Sequence, residues 1–146
     1  MSTAPAHFPV ALLAFDGMEA LDFAGPFEVF TTASRVHARS RQAENEIGIA
    51  NQSIPASDGA PFDVKSVSIS HDAVHARAGL RVLPDADFTS PHRADLLLVP
   101  GGVVDAAQYC AATLAWVRRV HASSRWTASV CTGAFILAAA WVLTDQ

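Results

Sequence analysis

The sequence predicts an α/β protein, a parallel sheet with helices packed on both faces. Three observations lead there. Strand-like apolar runs alternate with stretches of helical spacing in the order β, α, β, small β pieces, β, α, β, α, the pattern of parallel βαβ units. The run "ADLLLVPGG" (94–102) is apolar until Pro-Gly-Gly stops it, as a central strand buried on both sides should be. Of the 146 residues, 51% are apolar and 16% charged, enough to build one real core.

Each element has its own warrant. "FPVALLAF" (8–15) is a continuous apolar run bounded by Pro9 and by Asp16-Gly17, which reads as a buried strand. Leu21, Phe27, Phe30 and Ala33 then recur at helical spacing, and Pro26 suits a first turn, so a helix is expected over 26–36. Residues 37–61 are polar and carry no period, which predicts a long surface loop. "FDVKSVSIS" (62–70) alternates imperfectly as a strand, and two short β-like pieces, 74–76 and 80–83, flank Gly79. Residues 105–123 keep helical spacing through Tyr109, Cys110, Leu114 and Val117 and predict one helix. "WTASV" (126–130) reads as a strand, and the nearly all-apolar "TGAFILAAAWVL" (132–143) as a buried helix.

Composition excludes several functions. The net charge of −4, without a basic stripe, argues against a nucleic-acid surface in this segment. The start "MSTAPAHFPVALLAF" lacks a basic region before a long apolar stretch, and no apolar run reaches bilayer-spanning length. Two cysteines, Cys110 and Cys131, are too few for a disulfide framework and too far apart for a CxxC site. The expectation is a cytoplasmic protein with reduced thiols. His71 and His75 have metal-like spacing only on a helix, and their stretch reads as strand and turn, so no metal site is expected.

Chemistry is expected beyond the carboxyl ends of the strands. "VPGG" (99–102) offers Gly101 and Gly102, whose backbone N–H groups can face a ligand. "SVCTGAF" (129–135) puts Cys131 between strand and helix among small residues, the pattern of a nucleophile elbow. A sulfur on that turn faces the cleft at a helix N-terminus, which favours a thiolate. Its oxyanion would meet N–H groups of Gly101, Gly102 and Thr132. A cysteine in an apolar stretch is also a common small core residue, and position alone leaves both readings open for Cys131. Cys110, placed mid-helix, reads as core. Asp22, from its position alone, reads as an ordinary residue at a helix start.

"FDGMEALDFAGPFEVF", "ARAGLRVLPDADF", "DLLLVPGG" and "TASVCTGAFILA", in that order, resemble the ThiJ/PfpI superfamily. That resemblance runs from about residue 9 to 143, outside the loop at 38–61. It implies a three-layer α/β/α sandwich with a flavodoxin-like parallel sheet, of the class I glutamine amidotransferase-like type. The motifs look most like isonitrile hydratases and the ligand-sensing N-terminal domain of AraC-type regulators. The resemblance also implies a carboxylic acid against the nucleophile sulfur, and that position falls on Asp22. The pair would then share a proton, with the Asp22 pKa raised and the Cys131 pKa lowered.

The implied activity is cofactor-independent: a cysteine-dependent hydratase or lyase acting on a small electrophile, such as an isocyanide converted to an N-substituted formamide. A sensor domain and an inactive fragment are the alternative readings, and a homodimer is implied. Protease-like relatives carry His directly after the cysteine. Here Thr132 occupies that position, so a Cys-His dyad is not expected. Glu19 and Glu28 are expected at the surface, and His71, His75 and His121 in surface or packing roles. The resemblance further implies strands and a helix beyond "VLTDQ", so 1–146 is expected to be a single, incomplete domain with an uncovered sheet edge.

Overall fold

A computed structural model describes residues 8–47, 61–91 and 93–143. In chain order the elements are β1 (Phe8–Leu13), α1 (Ala20–Ile47), β2 (Phe62–Ser68), β3 (Val74–His75), β4 (Arg81–Val82), β5 (Ala86–Asp87) and β6 (Leu96–Val99), then α2 (Asp105–Tyr109), α3 (Ala111–Ser123), β7 (Trp126–Ser129) and α4 (Gly133–Ala139). Five strands form one parallel sheet in the order β5-β2-β1-β6-β7, while β3 and β4 pair as a separate antiparallel ribbon.

The apolar runs became strands because both of their faces are covered. Val10, Ala11, Leu12 and Leu13 are each no more than 2% exposed, and Val10 lies between Val64 of β2 and Leu96 of β6. The crossover β1–α1–β2 steps one way along the sheet and β6–α3–β7 steps the other way. Right-handed crossovers therefore place α1 on one face and α3 on the opposite one. The result is the expected three-layer sandwich. Leu12, Leu97, Val99, Trp116, Val117 and Ile136 are fully buried in its core, and Trp116 stacks on Phe88 at 5.0 Å. Each such side chain contributes roughly 1.5–3 kcal/mol of transfer free energy, which fixes the strand ends beneath the loops.

Several expectations need correction. The first helix starts at Ala20, before Pro26, and continues through Ile47, so the first part of the predicted loop at 38–61 is helical. Proline costs this helix one N–H bond, toward the Asp22 carbonyl, and the remaining ladder carries it. Ala, Arg, Gln and Glu supply helix propensity over 37–47 where no apolar period exists. The rest of that predicted loop, 48–60, lies outside the described residues.

The helix predicted over 105–123 is two helices. They break at Cys110, whose φ of −77° and ψ of 110° are extended backbone. The short strand β5 had no sequence signal. The expected buried helix over 132–143 is shorter and half-covered: α4 has seven residues, and Phe135, Trp141 and Leu143 are 58%, 79% and 58% exposed. α4 packs beside β7, an edge strand whose Trp126 is also exposed. An apolar sequence predicts burial only where a neighbouring element exists to bury it.

Candidate active site

The crossovers from β1 and from β6 run to opposite sides, which opens a crevice at the carboxyl ends of these two strands. Two loops meet there. Met18 bridges Gly102, Glu19 N–H donates to the Gly101 carbonyl at 2.8 Å, and Val103 N–H donates to the Gly17 carbonyl at 2.9 Å. This stitching explains Gly102. Its φ of +137° is glycine territory, and a side chain there would overlap the Gly17 carbonyl oxygen. It also delivers the first turn of α1, with Asp22, against the "PGG" turn.

The third segment is the elbow. Val130 N–H donates to the Val99 carbonyl at 2.9 Å, and Gly133 N–H donates to the Val130 carbonyl at 3.0 Å, closing a tight turn over Cys131 and Thr132. Gly133 lacks a side chain because a Cβ there would overlap the Val99 carbonyl oxygen. Cys131 is held at φ 51°, a left-handed conformation that costs a non-glycine residue about 1 kcal/mol or more, and the residue is exposed. Strain of this kind persists where surrounding structure over-determines it, and it marks functional turns.

Asp22, Gly101 and Thr132 converge. The point where a Gly101 side chain would begin lies 2.8 Å from Asp22 Oδ2, 2.8 Å from the Thr132 nitrogen and 2.9 Å from Thr132 Oγ1. The absence of a side chain at Gly101 therefore lets the carboxyl group approach the residue next to Cys131. Asp22 Oδ2 is buried and has no hydrogen-bond partner among the described residues. Buried carboxyl oxygens are normally paired, which sets this one apart.

The Thr132 hydroxyl accepts from Gly102 N–H at 2.9 Å and donates to the Gly102 carbonyl at 3.0 Å. That corrects one expectation: Gly102 N–H is engaged by Thr132 and does not face the crevice as a free donor. The N–H groups of Gly101 and Thr132 donate to no other group among the described residues. The clamp by the Thr132 hydroxyl had no sequence signal beyond a polar residue among small ones.

The remaining polar residues lie outside this cluster. Glu19 pairs with Arg77 at 3.8 Å, and Glu28 pairs with Arg35 at 2.7 Å, whose hydrogen bond holds the Glu28 carboxyl below its usual pKa. His71 lies 3.2 Å from Asp87, His75 lies 3.7 Å from Asp16, and His121 Nδ1 meets Thr127 Oγ1 at 2.9 Å. No helix of the described residues is long and apolar enough to cross a membrane.

Comparison with known proteins agrees with this architecture. A Streptomyces lividans protein described as the uncharacterized protein in the cpoL 5' region is 34% identical over 138 residues, covering 94% of this chain and 82% of its own length. The crystal structure of a ThiJ/PfpI family protein from Pseudomonas syringae superposes with a TM-score of 0.72 at 26% identity, over 98% of this chain and 53% of that one. A Vibrio parahaemolyticus structure, described as a "putative transcriptional regulator protein", gives 0.67 at 21% identity, over 94% of this chain and 63% of that one. The chain thus spans between half and two thirds of the length of these two structures. The family profile for DJ-1/PfpI matches residues 9–146, and the chain belongs to the DJ-1/PfpI family.

Proposed function

We propose that this protein is a cofactor-independent, cysteine-dependent hydratase of small electrophiles, acting on isocyanides in the manner of an isonitrile hydratase. One observation supports the reading: the buried, unpartnered Asp22 Oδ2 and the nitrogen of Thr132, the residue after the strained Cys131, both lie 2.8 Å from the point where a Gly101 side chain would begin. The Cys131 thiolate forms a C–S bond to the isocyanide carbon, and Asp22 delivers the proton that this carbon takes up. Water then adds to the resulting thioimidate. The tetrahedral intermediate expels the thiolate and leaves an N-substituted formamide, so the net change is addition of one water. N–H groups of Gly101 and Thr132 bind the oxygen in that step, and the Thr132 hydroxyl holds the Gly102 turn in place.

The working form in this reading is a cytoplasmic homodimer. The exposed apolar residues Leu21, Val29 and Val36 on one stripe of α1 support association. A second reading, the sensing domain of an AraC-type regulator, is favoured by the likeness to the Vibrio parahaemolyticus protein.

Incubation with cyclohexyl isocyanide, with formamide read by mass spectrometry, separates the two. A hydratase shows repeated turnover that Cys131→Ser reduces to background, and Asp22→Asn lowers it by about 10²-fold or more. Stoichiometric capture at Cys131 without turnover favours the sensor. No reaction above buffer contradicts the hydratase.

A further inference from the structure

The second cysteine stands on the wall of a different cleft. Cys110 is half-buried at the break between α2 and α3. The cleft measures about 400 Å³ and lies beyond the carboxyl ends of β1 and β2, where Phe15, Ser68, Val74, Phe88, Cys110 and Thr113 line it. That volume is within the range of small-molecule sites, roughly 300–1,000 Å³. Neither Cys131 nor Asp22 contributes to its lining.

Two of its polar residues, Ser68 and Thr113, are nearly buried. Ser68 is only 3% exposed, yet its hydroxyl makes no hydrogen bond among the described residues. Ser66, two residues earlier on the same strand, donates to Asp85 Oδ2 at 2.7 Å. On a nearly buried residue, a hydroxyl that stays unpaired and open to the cleft is free to donate to a ligand there. Thr113, 5% exposed, lines the cleft with Cys110. Its hydroxyl first, and N–H groups of the first turn of α3 after it, hold the Cys110 thiol below its ordinary pKa. Asp16 and Asp72 at the same cleft disfavour an anionic ligand.

We propose that this cleft is a second small-molecule site, for compact uncharged α,β-unsaturated carbonyl compounds, in which Cys110 captures the ligand and Ser68 donates to its carbonyl oxygen. The carbon skeleton packs on Phe15 and Phe88. The Cys110 thiolate forms a C–S bond to the β-carbon, and the C=C electron pair moves to an enolate whose oxygen Ser68 holds. The α-carbon then takes a proton from water, replacing the one the thiol released. The product is a thioether, and nothing is oxidised or reduced. The site is independent of the elbow, so it stands whether or not Cys131 is catalytic.

The test uses the Cys131→Ser protein and 2-cyclohexen-1-one, with adducts at Cys110 followed by peptide mass spectrometry. The expected rate saturates with enone concentration. Ser68→Ala lowers the low-concentration rate by about fivefold or more, while labelling by iodoacetamide is unchanged. Ala106→Phe, at an exposed position on the cleft wall, gives the same split by filling the space. A rate linear in enone and equal to that of a free cysteine peptide would overturn the proposal. So would saturation that neither Ser68→Ala nor Ala106→Phe alters.

Discussion

The two cysteines occupy similar places and differ in what surrounds them. Each ends one element and begins another, beyond the carboxyl ends of the sheet. Cys131 is marked by its backbone: φ of 51°, an exposed residue, and three glycines without which the turn could not pack. Cys110 has an ordinary extended backbone and is marked by its neighbours, the Thr113 hydroxyl and N–H groups of α3 that lower its pKa on the wall of a cleft. Strain therefore locates one thiol and local electrostatics the other. A search by either signal alone would find one and miss its counterpart.

The largest effect that sharpens this contrast is on the elbow side. Gly102→Ala places a side chain against the Gly17 carbonyl at a φ of +137°. It should destabilise the fold by about 3 kcal/mol, read by urea unfolding. It should also disrupt the Cys131 site more than the Cys110 cleft, as judged by labelling of each thiol in the folded fraction.

Replacing each cysteine by glycine compares the backbones directly. At Cys131 the strain relieved offsets the entropy that glycine adds to the unfolded chain, so stability should stay level or rise. At Cys110, which has no strain to relieve, the same change should cost about 1 kcal/mol. Equal losses at both positions would remove strain as the mark of the elbow.

A smaller effect tests the electrostatics. The lowered Cys110 pKa means that its thiolate persists to more acidic pH than an ordinary thiol, and alkylation should follow the thiolate. Thr113→Val removes the leading cause and should move the alkylation midpoint of Cys110 upward. The Cys131 profile should not move. An unchanged Cys110 midpoint would assign its reactivity to exposure alone.

Much of this was legible in the residues. The buried strands announced themselves as apolar runs, because a strand covered on both faces leaves no polar position in its centre. The motifs point to Asp22, Gly101 and Thr132, and atoms of Asp22 and Thr132 lie close to the Gly101 backbone. Only the family pattern draws attention to Asp22, which periodicity alone leaves as an ordinary residue at a helix start. What the sequence did not show depends on neighbours. The break at Cys110 leaves helical spacing intact on both sides, so no period betrays it. The Gly102–Thr132 hydrogen bonds join residues 30 apart in sequence. The exposure of Phe135 and Trp141 reflects which elements stand beside α4, and no property of an apolar segment reports that.

The central claim is that Asp22 and Cys131 work as one unit. It is tested most directly by the rate of iodoacetamide labelling at each cysteine at one fixed pH, in the parent protein and in Asp22→Asn. The account predicts that the Cys131 rate changes several-fold on losing the carboxyl group, while the Cys110 rate, recorded in the same sample, stays in place. Equal Cys131 rates in the two proteins would show that the carboxyl group does not govern the thiol, and the paired mechanism would be wrong.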